Sequence, residues 1–352
     1  MSELVTLEEI RAARRRIAGV AVRTGLYEVD PARLKAVGVG PLPFALYIKA
    51  ESEQPIGSFK LRGAYNRVAQ LSAEELGRGV ITYSSGNHAQ GVAYAAQALG
   101  AKAVIVMPEN TPKVKLDATA ALGAEIVLVG PASSERLAKA EELVARHGYT
   151  MIPPYDDREV IAGQGTCGLE IVEQLGLVDE DGNAGASGDQ DGVVILSPVS
   201  GGGLLSGIAT AVKLACAEAG AANIQVWGAE PEVAADATES FRTKTLVEWP
   251  AARTTRTMAD GLRTQSLGVR NFAHVLQYVD GMVNVSEEEI VRAMRVMLRA
   301  TELVAEPSGA ATLAAALYHH AELPRCGRMV AVLSGGNIQP ELKRELEAGA
   351  SA

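Results

Sequence analysis

Six short runs of apolar, largely β-branched residues recur along this chain with alanine-rich stretches between them. They cover residues 79–83, 103–107, 125–129, 193–196, 225–228 and 329–333. Several are apolar at nearly every position, the pattern of strands buried on both faces of a parallel sheet. Helical stretches such as 89–99 and 205–219 follow them. This alternation predicts an open, wound α/β fold with short connections at the strand ends. Helix starts are marked as well. Thr6 with Glu9, and Ser286 with Glu289, read as capping boxes opening helices that run to about Ile17 and Val304. One segment breaks the pattern: residues 179–191, rich in Gly, Asp and Asn, read as an exposed, mobile loop.

Composition narrows the function. At 352 residues the chain is long enough for two domains of about 150 residues each. A net charge of −9 argues against a nucleic-acid partner, which calls for basic patches. Cys167, Cys216 and Cys326 lie far apart, so neither a disulfide framework nor a thiolate zinc site is expected, and a reducing cytoplasm suits them. The charged first sixteen residues do not read as a signal peptide, and no apolar run approaches the roughly 20 residues that span a bilayer. The expectation is a cytoplasmic protein with no membrane partner.

Ligands of open α/β sheets sit beyond the carboxyl ends of the strands. Three turns there are small, polar and glycine-rich: Ser84, Ser85, Gly86, Asn87 and His88; Ser200, Gly201, Gly202 and Gly203; and Ser334, Gly335, Gly336 and Asn337. The second precedes a helix, where free amides and the helix dipole suit a phosphate. It is not the dinucleotide fingerprint, because Ser206 stands where the third glycine would be, and no P-loop, HExxH or GxSxG motif occurs. Among five histidines, only His88 lies in a loop of this kind. Lys60, between Phe59 and the amphipathic segment 61–71, becomes a candidate Schiff-base lysine beside a phosphate loop, since desolvation leaves an amine nucleophilic at neutral pH.

With these residues assembled, the chain resembles the fold-type II pyridoxal-phosphate enzymes, specifically the threonine/serine dehydratase and serine racemase family. Five motifs match in order: GSFKLRG at 57–63, SSGNH at 84–88, GQGT at 163–166, SGGG at 200–203 and SGGN at 334–337, with Glu230-Pro231 and Ala305-Glu306-Pro307 in place. The match runs from about residue 10 to residue 340. The resemblance implies a tryptophan synthase β-like fold with two open, twisted, mainly parallel sheets flanked by helices. A large domain of 1–78 and 150–352 would face a small, mobile domain of 79–149 across the cofactor cleft. The biosynthetic members' C-terminal regulatory domain is not expected.

The resemblance also assigns roles. Lys60 would hold pyridoxal 5'-phosphate covalently, with Phe59 against the ring and Asn87 on its phenolic oxygen. Ser200, Gly201, Gly202 and Gly203 would hold the phosphate; the family usually has glycine where this chain has Ser200. Gly261 and Glu306 would lie near the cofactor, and Ser334 would face the ring nitrogen. A neutral hydroxyl there makes the ring a weaker electron sink, which favours β-elimination over transamination. Ser84, Ser85, Gly86, Asn87 and His88 would bind the substrate carboxylate. Lys60 and Ser85 would be the catalytic pair, Ser85 exchanging a proton on the face opposite Lys60 if the chain racemises. Glu230, the Ala234 carbonyl and Asp236 would hold a divalent cation, Mg²⁺, Mn²⁺ or Ca²⁺, all-oxygen ligation suiting these ions. The implied reaction is the β-elimination of a small β-hydroxy amino acid (serine, threonine or 3-hydroxyaspartate) to a 2-oxo acid and ammonia. Amino-acid racemisation is the alternative, and a homodimer is the implied assembly. A non-catalytic binding protein on the same scaffold is disfavoured by Lys60, Asn87 and Ser334 standing together.

Overall fold

A computed structural model describes residues 4–130, 133–185 and 191–348. Ten strands run in chain order: β1 (Leu26–Glu28), β2 (Ala45–Ala50), β3 (Val80–Thr82), β4 (Ala103–Pro108), β5 (Glu125–Val129), β6 (Thr150–Met151), β7 (Val193–Pro198), β8 (Ile224–Pro231), β9 (Gly281–Val285) and β10 (Arg328–Leu333). They form two sheets, in the orders β1-β2-β10-β7-β8-β9 and β5-β4-β3-β6. Among the strand pairs of the described residues, only β1–β2 is antiparallel.

The inner strands β3, β4, β7 and β10 are buried on both faces, as the unbroken apolar runs require. In the larger sheet Val193, Ile195, Val330 and Val332 enter one core with the helices Leu7–Ile17, Arg158–Gln174 and Gly203–Ala219. The intervening Val194, Leu196, Ala331 and Leu333 enter the opposite core, with the helices Glu287–Thr301 and Pro307–Tyr318. The smaller sheet places Val80, Ile105 and Met107 against the helices Lys60–Val68 and Asn87–Ala98. Its other face carries Ile81, Val104 and Val106 against Ala140. Ala64 and Val68 thus belong to the smaller sheet's core, and residues 150–151 to its strands.

All six expected strands are present, with ends shifted by up to three residues. Both expected capping boxes form, and a third occurs at Ser72 and Glu75. The helix after Ser286 stops at Thr301 rather than 304, because Glu302 turns into the left-handed region at φ +65°. Of the expected loop, residues 186–190 lie outside the described residues. Its first part is a compact turn: the Asp179 carboxylate accepts the Asp181 and Asn183 amides, and Val178 pairs with Ala184.

Glycines set the spacing around the helix Arg158–Gln174. A Cβ on Gly163 would lie 2.6 Å from the Gly63 Cα, so the Lys60–Val68 helix meets it backbone to backbone. On another side, a Cβ on Gly207 would lie 2.5 Å from the Gly165 nitrogen and 2.6 Å from the Ile161 oxygen. The GQGT motif is therefore, at least in part, a packing device that brings three helices close. Replacing Gly207 by Ala should destabilise the protein by about 1–3 kcal/mol in a denaturant titration, through overpacking against rigid backbone. Gly77→Ala, on an open helix surface with nothing within 4 Å, should be neutral or slightly stabilising. Equal effects at the two positions would contradict the packing argument.

Candidate active site

Each of the three polar turns leaves the carboxyl end of a strand: β3, β7 and β10. The β10 turn meets the Lys60 segment directly. The Phe59 amide donates to the Ser334 carbonyl at 3.0 Å, the Gly336 amide donates to the Gly57 carbonyl at 2.9 Å, and Ser58 pairs with Gly335. Gly57 makes this possible with φ +70°, a backbone region that penalises a side chain. Asn337 fixes a third point, donating to both the Ile56 carbonyl and the Asn87 Oδ1.

Lys60 opens its helix, and its Nζ donates to the Pro154 carbonyl at 2.8 Å, 5.0 Å from the Phe59 ring centroid. No carboxylate pairs with it among the described residues. Burial alone lowers its pKa from 10.5 to about 8. Pro154 and Tyr155 also line a cleft of about 280 Å³ together with Tyr83 and Leu267. Sequence reasoning missed Pro154, because a carbonyl contact leaves no side-chain signature.

The turn after β7 is built for an anion. Gly202 takes φ +93°, and a Cβ on Gly201 would lie 2.4 Å from the Tyr155 ring. Among the described residues no acceptor takes up the amides of Gly201, Gly202 and Gly203, which stand at the start of the helix Gly203–Ala219. Free amides at a helix start that only glycine can shape are suited to receive an anion such as a phosphate. The Ser200 hydroxyl is already engaged: it accepts the Thr264 amide at 3.1 Å and shares a hydrogen bond with the Thr264 hydroxyl at 2.7 Å. Thr264 is a second residue that the sequence did not single out.

Asn87 donates through Nδ2 to Glu306 Oε1 at 2.8 Å. Glu306 is buried, and burial followed by the Asp260 charge raises its pKa to about 8, so it carries a proton at neutral pH. Gly335 packs against it: a Cβ there would lie 2.4 Å from Glu306 Oε1. Ser334 is buried at the same junction, and the Gly261 amide donates to Ser308 Oγ at 2.9 Å. Ser84, Ser85 and Gly86 are half-exposed ahead of the helix Asn87–Ala98. His88 instead points inward: its Nε2 bonds the Ile152 carbonyl at 3.0 Å, an arrangement that requires the proton on Nε2. Burial, reinforced by the Lys60 charge, lowers its pKa to about 3, so the ring is neutral.

Glu230 ends β8, and Asp236 opens the helix Asp236–Thr243; both are about 1% exposed. Glu230 Oε1 accepts the Thr238 amide at 2.6 Å, but Glu230 Oε2 and Asp236 Oδ2 are buried without partners. Burial, then the Asp236 charge, raises Glu230 well above the carboxylate range, and burial raises Asp236 to about 7. Ala234 lies buried in the turn between them. Among the described residues no group of three or more His, Cys, Asp or Glu draws together.

The comparisons with known proteins agree with this geometry. The family model described as "Pyridoxal-phosphate dependent enzyme" matches residues 29–335. This chain belongs to that family. It is 39% identical over 300 residues to the L-threo-3-hydroxyaspartate ammonia-lyase of Saccharomyces cerevisiae, covering 85% of this chain and 84% of that protein. It is 34% identical over 338 residues to the serine racemase of Schizosaccharomyces pombe, covering 96% of each. Among solved structures, the T.th. threonine deaminase superposes with a TM-score of 0.82 at 42% identity, over 95% of this chain and 99% of that one. The fold is that of the fold-type II enzymes, and no helix among the described residues is long and apolar enough to cross a membrane.

If burial holds the Lys60 amine near a pKa of about 8, its modification by an amine-directed acylating reagent in the cofactor-free protein should rise with pH through about 8. Peptide mass spectrometry across a pH series reads this. A midpoint near that of an ordinary lysine would contradict it.

Proposed function

We propose that this enzyme is an ammonia-lyase: it eliminates water from a small β-hydroxy amino acid and releases a 2-oxo acid and ammonia. The observation that carries this reading is the unpaired Lys60 amine at the junction of three glycine-rich turns, one of them a phosphate cradle. The residues fit pyridoxal 5'-phosphate: a nucleophilic amine, free amides for the phosphate, and a buried hydroxyl, Ser334, in place of a carboxylate. When bound, the cofactor supplies an aldehyde for covalent attachment and a ring that accepts the electron pair of a broken C–H bond.

The chain's own residues then have distinct tasks. Lys60 holds the cofactor and, released by the incoming substrate, takes the α-proton. At neutral pH, an amine lowered to about 8 has a usable neutral fraction. Phe59 would lie against the cofactor ring, and the Asn87 amide, which in the free chain donates to the protonated Glu306, would serve the ring's phenolic oxygen. Gly261 would lie near the cofactor. Ser200, Gly201, Gly202 and Gly203 hold the phosphate, the three glycines through their amides. The loop of Ser84, Ser85, Gly86, Asn87 and His88 receives the substrate carboxylate at the positive end of its helix. The His88 ring supports that loop from below through Ile152.

Racemisation of an amino acid is the second reading. The serine racemase relative supports it, and Ser85 is half-exposed; in this reading its hydroxyl would exchange a proton on the face opposite Lys60. Glu230, Asp236 and the Ala234 carbonyl hold a divalent cation in this proposal, because two partnerless buried carboxylate oxygens call for positive charge. The enzyme acts as a cytoplasmic homodimer, its smaller domain, 79–149, closing over the cleft against residues 1–78 and 150–352.

Incubation with L-serine, L-threonine and L-threo-3-hydroxyaspartate should yield 2-oxo acid and ammonia in excess of D-isomer from at least one of them. Lys60→Ala should lower that turnover by about 10³-fold or more. Excess D-isomer would favour the racemase, and full activity in Lys60→Ala would overturn both readings.

The cation has its own test. Asp236, at about 7 in the folded chain against an ordinary 3.8, binds its proton more readily when folded. Its contribution to stability is therefore present below about 3.8 and is lost as pH rises towards 7 in cation-free protein. Mg²⁺, Mn²⁺ or Ca²⁺ should raise the melting temperature more at about pH 8 than at about pH 5. Glu230→Gln should weaken that response. No cation-dependent change at either pH would remove the site.

A further inference from the structure

We propose that Arg62 is a positioning residue for Lys60, acting through a buried double fork that no other residue type can supply; the inference rests on Lys60 being the reactive amine. The Lys60–Val68 helix has no side-chain cap, so its start is held through the backbone of the preceding segment alone. Arg62, two residues on, is completely buried and reaches two carboxylates from different elements. Its Nε and Nη2 donate to Glu51 Oε2 and Oε1, each at 2.8 Å. Its Nη1 and Nη2 donate to Glu170 Oε1 and Oε2, at 2.6 and 2.8 Å. The fifth N–H, on Nη1, goes to Thr166 Oγ1 of the GQGT motif at 3.1 Å, and the Val22 carbonyl lies beside Nη2 at 3.2 Å as a shared acceptor.

Glu51 follows β2, and Glu170 lies on the helix Arg158–Gln174, so one guanidinium ties the Lys60 turn to the sheet and to the neighbouring helix at once. Lys49, also wholly buried, pairs with Glu170 at 2.6 Å, which makes the cluster two cations against two carboxylates. A planar fork fixes direction as well as distance, whereas a lysine ammonium would keep the charge and lose the two-sided geometry. Upstream, the 57–59 segment is hydrogen-bonded to the Ser334 turn. Lys60 therefore stands between two anchors, and Arg62 is the downstream one.

The experiment compares wild type, Arg62→Lys and Asn66→Ala. Asn66 is a buried residue of the same helix that donates to the Glu159 carbonyl, so its loss loosens the helix without touching the fork. Cofactor-free proteins are mixed with pyridoxal phosphate, and covalent capture on Lys60 is followed by hydride trapping and peptide mass. Melting temperature, kcat and KM are recorded alongside. Arg62→Lys should slow capture and lower kcat by about tenfold or more with KM within about twofold, at a melting temperature no lower than that of Asn66→Ala, which should capture at close to the wild-type rate. Capture by Arg62→Lys at the wild-type rate, or equal slowing in both variants, would overturn the positioning role. Absence of capture on Lys60 in wild type would instead overturn the reading of Lys60 itself. Should Arg62→Lys not fold, Glu51→Gln, which keeps the shape and one accepting oxygen, takes its place with the same outcomes.

Discussion

An amine withdrawn from water with no carboxylate to balance it is the constraint on which the site depends. Two other cations nearby show the usual solution: Lys49 and Arg62 are both fully buried, and both are matched by Glu170, with Glu51 as a second partner for Arg62. Among the described residues Lys60 meets the Pro154 carbonyl and the Phe59 ring, and no carboxylate. A lone carbonyl accepts a hydrogen bond from the neutral amine as well as from the charged one, so burial tips the equilibrium towards the neutral, nucleophilic form. The surroundings must tolerate that imbalance. They do so through contacts that do not depend on charge: backbone hydrogen bonds from 57–59 to the Ser334 turn and the close glycine approach of Gly63 and Gly163.

The opposite imbalance occurs at three carboxylates. Glu306, Glu230 and Asp236 are buried acids, each raised above the carboxylate range mainly by burial. With Lys60 they form a set of groups that the fold leaves short of partners, like the amides of the turn after β7. Buried groups of this kind cost stability unless something occupies the site. Glu230 lies near the carboxyl end of β8, while Lys60, Asp236 and Glu306 stand at helix starts, so these groups belong to element ends rather than to the middle of the cores.

Much of this was written into the sequence, and the exceptions have physical causes. β3, β4, β7 and β10, buried on both faces, announced themselves as unbroken apolar runs. β2 did not, because Lys49 interrupts it, and the residue that makes a buried lysine tolerable, Glu170, lies 121 positions away. The short β6, with two residues, and β9, whose exposure alternates and which carries Asn284, offered no comparable run. The three polar turns were visible because glycine and small polar residues follow apolar strands. Pro154 and Thr264 were not, since one acts through its backbone and the other through a partner 64 residues distant. The GQGT motif was recognised only as a family feature; the coordinates give it a steric role at Gly163 and Gly165 and a place in the Arg62 fork at Thr166.

The central claim is that one particular amine carries the cofactor. Reducing the protein loaded with pyridoxal phosphate using borohydride, digesting it and sequencing the labelled peptide by mass spectrometry tests that claim directly. The predicted result is a single pyridoxyl modification on the lysine of GSFKLRG, at position 60. A label on Lys49, Lys115 or any other lysine, or no label at all, would contradict it.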